Sequence, residues 1–330
     1  MKINNGITPY AVTTASKQTI LNKTTIENKD DTIIQRNNIR ESESDKRRKI
    51  LDDKYQKINE QNKQFKNPHL HIQDKYHNPY SPYFRSDLTE AERNAASSME
   101  SSMLRKGVIN CYDYADAAFR EKPLVNDHIE SAKKKLFNRQ QVNGQLHELF
   151  AKNGITLPQG SNLTFTIHPS NFKLTVSGTN DSSLIDKLEG ILNTANNTRE
   201  LFFHIMQSRS DDSSQFTRST IDKFRLVNEI KTMTGYDLKD LDIVNGQFVT
   251  EDGTDIFEIY KEKLRQNPYT KAHVGVAASY YGSQLYQLAN NGFNSIPDSV
   301  LSIGYENGSL QDIGQKENYG TGKNDWINNL

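Results

Sequence analysis

LTFTIHPSNFKLTV, residues 163–176, is where the chain changes its period. Upstream, apolar residues recur every three or four positions. Here Leu163, Phe165 and Ile167 alternate with Thr164, Thr166 and His168, and after Pro169–Asn171 the pattern resumes at Phe172, Leu174 and Val176. Successive strand side chains point to opposite faces, so this reads as a hairpin with one apolar face. A second hairpin is announced by DIVNGQFVT, residues 242–250, because Asn245-Gly246 suits a type I′ turn that needs positive φ at both central positions.

Helical patterns surround both hairpins. Thr89 with Glu92 forms a capping box and Gly107 a stop; a second helix is expected from Asn110 to Pro123. A third runs from Asn126 to Asn153, and its apolar stripe slips at NRQQVNG (138–144), which predicts a kink or two helices. Further helices are expected over Ser182–Met206, broken near Asn196; over Ser214–Met233, stopped by Gly235; from Thr254 or Asp255 to Gln266; and over Thr270–Asn290. After Gly292 the chain reads as turn-rich. Residues 126–206 and 214–266 both read helix, hairpin, helix, but they share little residue by residue, so one antiparallel sheet joined by both hairpins is preferred to a duplication.

Residues 1–45, rich in Asn, Thr, Lys and Ser, have the texture of a disordered tail. Residues 46–85 comprise a charged helix with a stripe at Leu51, Tyr55, Ile58, Asn62 and Phe65, then a Pro/Tyr/His-rich strap whose Pro68, Pro79 and Pro82 argue for extended backbone. An α+β domain over 86–310 and a C-terminal tail over 311–330 complete the expected organisation. The fold class is therefore α+β: a mostly helical body with two β-hairpins forming a small antiparallel sheet, preceded by a disordered tail.

Composition narrows the function classes. Among 330 residues, Lys plus Arg and Asp plus Glu each number 41, so no global field draws the chain to nucleic acid or to an anionic membrane. Lys133, Lys134, Lys135 and Arg139 read as a solvated helix face. Hydrophobic residues are 34% and mean hydropathy is -0.78. No stretch suits a membrane span, and the N-terminus lacks the apolar run of a signal peptide. A single Cys111 excludes an intramolecular disulfide. These features fit a cytoplasmic protein, or one exported without a cleavable signal.

Three constellations carry possible chemistry. His69, His71, Asp74 and His77 crowd into nine residues; on an extended strand His69 and His71 would share a face about 6.5–7 Å apart, compatible with Zn²⁺. No second ligand pair lies nearby in sequence, which favours a docking strap. Cys111 after an Asn110 N-cap would feel a helix N-terminus and could act as a nucleophile if His128, His147, His168, His204 or His273 supplied a base; a lone Cys beside an apolar stripe is more often a small core residue. Asp240, Asp242, Asn245, Gly246 and Glu251 suggest a calcium loop, but the glycine falls one position late. No P-loop, dinucleotide or nucleophile-elbow motif occurs, so no cofactor, metal or catalytic residue is assigned. Trp326 reads as a peg that pins the tail.

The MKINNG start, HNPYSPYFRSDLTEAER (77–93), the Asn-Gly stop at 153–154 before the first hairpin and YDLKDLDIVNGQFV (236–249) together resemble a family of uncharacterised proteins from Bacillus and relatives, known only as a domain of unknown function. The likeness spans residues 75–310 and implies no active site, cofactor or substrate. The expected function is a non-enzymatic interaction protein with a protein partner. The alternatives are an exported surface or flagellar-associated protein, and a hydrolase using Cys111 or a metal-binding protein using His69 and His71.

Overall fold

The computed structural model describes residues 32–330, so the disorder expected over residues 1–31 lies outside the described residues. The described chain forms two compact units, residues 38–137 with 325–330 and residues 32–37 with 138–324. This differs from the linear partition the composition suggests.

The unit of residues 38–137 is built on α1 (Glu43–Asn62), α2 (Pro68–His77) and α3 (Glu90–Lys106). Capping boxes open α1 at Ser42 and α3 at Thr89, and Gly107 at φ 72° ends α3 in the left-handed region that glycine tolerates. Leu51, Tyr55, Ile72, Tyr76, Ala95, Met99, Met103 and Phe119 fill the core. Two carboxylates are buried in it with all their charge answered. Asp116 accepts from the Tyr55 hydroxyl and from Lys54 Nζ at 2.6 Å. Glu100 accepts from the Tyr76 hydroxyl, and from Lys75 Nζ and Asn62 Nδ2 at 2.8 Å each. Burial, then the carboxylate partners, push both phenols far above the usual tyrosine range.

Two local expectations are overturned here. The strap begins as a helix, because Pro68 occupies the first helical position behind the Asn67 cap, where a missing N–H costs nothing; only Pro79 and Pro82 keep the extended role. The helix expected from Asn110 is instead a series of bends ending in a 3-10 turn, Ala117–Phe119. Asp113 and Asp116 accept from the backbone two residues on, at Ala115 and Ala118, and so compete with helical pairing.

α4 (Asp127–Lys152) is one helix where a kink or two helices were expected, and its residues from Asn138 onward belong to the second unit. The stripe slips because Asn138, Arg139 and Asn143, polar by type, are buried; Arg139 belongs to no solvated face and is fully enclosed. A four-stranded antiparallel sheet of β1 (Asn162–Ile167), β2 (Leu174–Ser177), β5 (Leu301–Glu306) and β6 (Ser309–Gln311) follows the order β2-β1-β5-β6. Its inner face carries Leu163, Phe165, Ile167, Leu174, Val176, Leu301, Ile303 and Tyr305. These pack on Leu146 and Phe150 of α4, Leu188 of α5 (Ser182–Leu192), and Leu201 and Phe202 of α6 (Asn197–Ser208).

The second predicted hairpin, β3 (Asp242–Val244) with β4 (Gln247–Val249), forms its own two-stranded sheet. Asn245 and Gly246 adopt φ 51° and 74° as the turn requires. Phe248 anchors it to a second core shared by α7 (Arg218–Thr234), α8 (Ile256–Gln266) and α9 (Val274–Asn291). The sheet partner of the first hairpin is instead the β5–β6 hairpin, in the stretch read as turn-rich. It turns at Asn307-Gly308, φ 50° and 78°.

Residues 32–37, placed in the tail by composition, are held along α6. Asn197 Oδ1 accepts from the N–H groups of both Ile33 and Ile34, Ile34 is fully buried, Arg36 pairs with Glu200 at 2.8 Å, and Asn37 Oδ1 accepts from Gln207. Two isoleucines and four polar anchors outweigh the ordering entropy that composition alone suggested would prevail.

Edge strands expose unpaired main-chain groups, and here side chains meet them. On β2, Asn193 Oδ1 accepts from Leu174 N at 2.8 Å while its Nδ2 donates to Leu174 O at 3.0 Å, and Glu189 accepts from Val176 N. On β6, Asn143 accepts from Leu310 N and Arg139 donates to Leu310 O. Beyond the end of β6, Gln215 bonds Ser302 N and O. Replacement Asn193→Ala leaves both polar groups of Leu174 without partners and is expected to cost about 1–3 kcal/mol in chemical denaturation. Because the β2 edge is then open, sedimentation is expected to show concentration-dependent self-association of the variant alone.

Candidate functional site

The residues nominated by sequence do not converge. With residues 68–77 helical, His69 and His71 stand about 200° apart around the helix axis, so the shared face of an extended strand is lost. His71 instead stacks on Phe65 with ring centroids 3.6 Å apart and meets the edge of Tyr83, and burial lowers its pKa. His77 bonds Ser97 Oγ, and Asp74 accepts from Asn78. Among the described residues no group of three His, Cys, Asp or Glu side chains is placed to hold a metal ion. Cys111 lies exposed on a bend, with no helix N-terminus behind it and no imidazole nitrogen bonded to its sulfur among the described residues. The small-core reading of Cys111 fails because the residue is exposed, and the helix N-terminus expected behind it is replaced by bends. Asp242 sits in β3 and Asn245-Gly246 in its turn, which removes the calcium-loop geometry. Trp326 is half-buried in a short 3-10 turn, Asp325–Asn329.

One histidine is enclosed. His204 Nε2 accepts from Arg139 Nε at 2.8 Å, while the Arg139 guanidinium also grips Asp312 through two N–H groups at 3.0 and 2.8 Å. Accepting at Nε2 puts the ring proton on Nδ1, which has no partner among the described residues. Burial, and then the Arg139 charge, hold the pKa well below that of an ordinary histidine. This group ties α4 and α6 to the residue following β6.

The concave site of the unit is a groove of about 1360 Å³. It runs between the β1–β2 turn, the α5–α6 junction, the C-terminal half of α7 and the segment entering β5. Six lining residues are basic (Lys173, Arg199, Lys223, Lys231, Lys239, Lys263) against three acidic (Glu189, Asp237, Asp298), in a chain that is neutral overall. The acids are engaged: Asp298 and Asp237 pair with Lys223 and Lys231 at 2.9 Å each, and Glu189 accepts from Val176 N. Arg199, Lys173 and Lys263 form no ion pair among the described residues; Arg199 lies over the rings of Phe172 and Phe203. Ser299, 2% exposed, lines the groove with a hydroxyl that lacks a partner among the described residues. Phe172 and Ala195, also in the lining, sit at φ 52°, a conformation that costs a non-glycine residue about 1–3 kcal/mol and tends to gather at functional sites. The lining contains no histidine or cysteine.

The model of a family described as Domain of unknown function (DUF4885) matches residues 8–330. The chain belongs to this family. The match is wider than the 75–310 span of the resemblance read from sequence and takes in most of the N-terminal region. An uncharacterized protein of Bacillus subtilis (strain 168), YbdO, is 44% identical over 313 residues, covering 95% of this chain and 79% of that protein. No solved structure matches the chain. Among the described residues, no helix is long and apolar enough to cross a membrane.

Two measurements follow from these positions. The unfolded chain protonates His204 near 6.5 whereas the folded chain keeps the ring neutral. Its contribution is thus fully present above pH 6.5 and drains away as pH falls below it, by up to about 1.4 kcal/mol per pH unit. Denaturant titrations at stepped pH are expected to show this slope, and His204→Gln, which retains an acceptor for Arg139, is expected to flatten it. Cys111, being exposed, is expected to take up iodoacetamide in the native protein without denaturant; labelling that requires unfolding contradicts its placement.

Proposed function

We propose that the protein is a non-enzymatic binding protein whose groove captures an extended acidic segment of a partner protein. The observation that carries this reading is the excess of cations in the groove, three of which have no ion-pair partner among the described residues, beside an enclosed hydroxyl with no hydrogen bond among them. A volume of about 1360 Å³ exceeds the ~300–1000 Å³ usual for small-molecule pockets and suits a length of chain. Carboxylates answer unpaired guanidinium and ammonium groups through charge-assisted hydrogen bonds. Phe172, Phe224 and Phe293 supply apolar wall between the charges.

Two features favour a peptide over a nucleic acid. Arg199 lies over Phe172 and Lys223 over Phe293 at 4.1 Å, so these rings are already engaged by cations where bases would stack. The three acids interspersed along the lining would also repel a continuous phosphate backbone. Against an enzyme, the groove offers no imidazole or thiol, and its carboxylates are occupied by lysines or main chain.

Fluorescence anisotropy with a short labelled peptide rich in Asp, Glu and Leu tests the reading on the full chain. Saturable binding that weakens with salt is expected, and Arg199→Ala with Lys263→Ala is expected to raise Kd by about tenfold or more. Circular dichroism and thermal melting establish that the variant is folded. Absence of binding, unchanged affinity in the folded variant, or tighter binding of a labelled single-stranded oligonucleotide each overturns it.

A further inference from the structure

Hydrogen-bond donors gather at the end of the groove where α6 begins. Ala195, Asn196, Thr198 and Arg199 stand in the wall there. Asn196 is by type a strong N-cap, but at φ -102° and ψ 11° it lacks the extended backbone that turns a cap side chain back onto the helix, and it makes no side-chain cap bond. Ala195 at φ 52°, a conformation unfavourable for a residue with a Cβ, sets this entry. Of the N–H groups that a helix start leaves over, that of Asn196 donates to Thr32 Oγ1 at 3.2 Å and that of Asn197 to Thr194 O at 3.3 Å. Those of Thr198 and Arg199 have no acceptor among the described residues.

Two side chains add to these main-chain donors. The Arg199 guanidinium lies over the rings of Phe172 and Phe203, at 5.8 and 5.6 Å from their centroids, which engages its face and leaves its N–H edge to be met. The acid next to it, Glu200, is taken by Arg36 at 2.8 Å. Ser299 is the other. Leu301 of β5 pairs with Ile167 of β1 in antiparallel register, so the residues entering β5 run beside the β1–β2 turn that carries Phe172. Arg199 and Ser299 therefore border the same turn. The Ser299 hydroxyl, 2% exposed as a residue and without a partner among the described residues, weakens the fold unless an acceptor meets it.

We infer that this end of the groove is a phosphoryl-binding subsite, filled by a phosphorylated side chain of the partner's acidic segment. The inference rests on the reading of the groove as an acceptor of acidic segments and names the group it selects. A carboxylate has two coplanar oxygens, which one guanidinium fork satisfies. Two main-chain N–H groups, a guanidinium and a hydroxyl are more donors than that, and they come from two separate parts of the chain. A phosphoryl group carries close to two negative charges at neutral pH and three acceptor oxygens that face different directions. Helix N-termini and arginines are the partners that suit it. A single monoester also avoids Asp237 and Asp298 farther along the lining, which a continuous phosphate backbone would have to pass.

The test uses the full chain and three labelled peptides of one Asp/Glu/Leu sequence whose central residue is serine, phosphoserine or glutamate. Fluorescence anisotropy is expected to show the phosphoserine peptide bound about tenfold more tightly than the glutamate peptide, and inorganic phosphate at constant ionic strength is expected to erode that advantage. Asn196→Asp keeps side-chain size and places a carboxylate at the start of α6; Ser299→Ala removes the enclosed hydroxyl. Each is expected to cut the phosphoserine-to-glutamate ratio to about threefold or less, a ratio that a general loss of attraction for acidic peptides leaves unchanged. Thermal melting establishes that both variants are folded. Equal affinity for the phosphoserine and glutamate peptides, with the Arg199/Lys263 variant still weakened, overturns the inference and leaves the groove as a site for acidic segments. A phosphoserine advantage that survives both substitutions puts the phosphoryl group elsewhere and also overturns it. If no peptide binds, the reading of the groove fails. Calorimetric binding of inorganic phosphate in that case assigns the subsite to free phosphate and overturns its part in capturing a partner.

Discussion

A four-stranded sheet with two ends is the constraint around which the unit of residues 32–37 and 138–324 is organised. Its outer strands are short and would present unpaired N–H and C=O groups to any passing chain. Nearby helices and loops supply side chains that stand in for absent strands: Asn193 and Glu189 on β2, Asn143 and Arg139 on β6, Gln215 at the open end of β5. Each bond is modest, but leaving such groups buried and unmet costs more than the bond contributes, so these residues fix which helix faces the sheet. Two of the polar positions that blur the apolar stripe of α4, Arg139 and Asn143, are among these residues. What looks like a fault in the amphipathic pattern is the means by which the helix docks.

The groove is a consequence of that docking. Closing the β2 edge places the α5–α6 junction beside the β1–β2 turn, and the second core of α7, α8 and α9 sets the opposing wall within the same unit. Positive φ at Phe172 and Ala195 is tolerated because the surrounding contacts over-determine the backbone there, Phe172 meeting Phe202 and Phe203. Lys173, Arg199 and Lys263 form no ion pair among the described residues because the local acids are engaged by other lysines or by main chain. An acidic segment of a partner is the occupant proposed for that electrostatic pattern.

The legibility of individual residues follows from the range of the forces acting on them. Thr89 with Glu92, Asn245-Gly246 and Gly235 act on backbone within a few positions, so sequence suffices to read them. Asn307-Gly308 carries the same signal, flanked by Leu301, Ile303 and Tyr305 in alternation, within a stretch whose composition is otherwise that of turns. Pro68 misled because a proline's effect depends on whether it opens a helix or interrupts one, which is decided by the Asn67 cap. The histidine cluster misled for the same reason, since a change from extended to helical backbone moves His71 off the face of His69. The groove could not be read at all. Lys173, Arg199, Lys231 and Lys263 are scattered over some ninety residues, and nothing in their local sequence marks them as neighbours.

Sequence by itself determined the α+β class, the two hairpins it named and most helix limits, because period, caps and turns are set by interactions among near neighbours. It determined too that the chain has no overall charge with which to attract a polyanion. Tertiary structure alone decided that the first hairpin pairs with residues 301–311, that the second stands apart, that Arg139 is interior, that Ile34 belongs to the core and that dispersed lysines line one groove. Those outcomes depend on contacts between residues distant in the chain, where burial and the need to satisfy each main-chain group outweigh local preference.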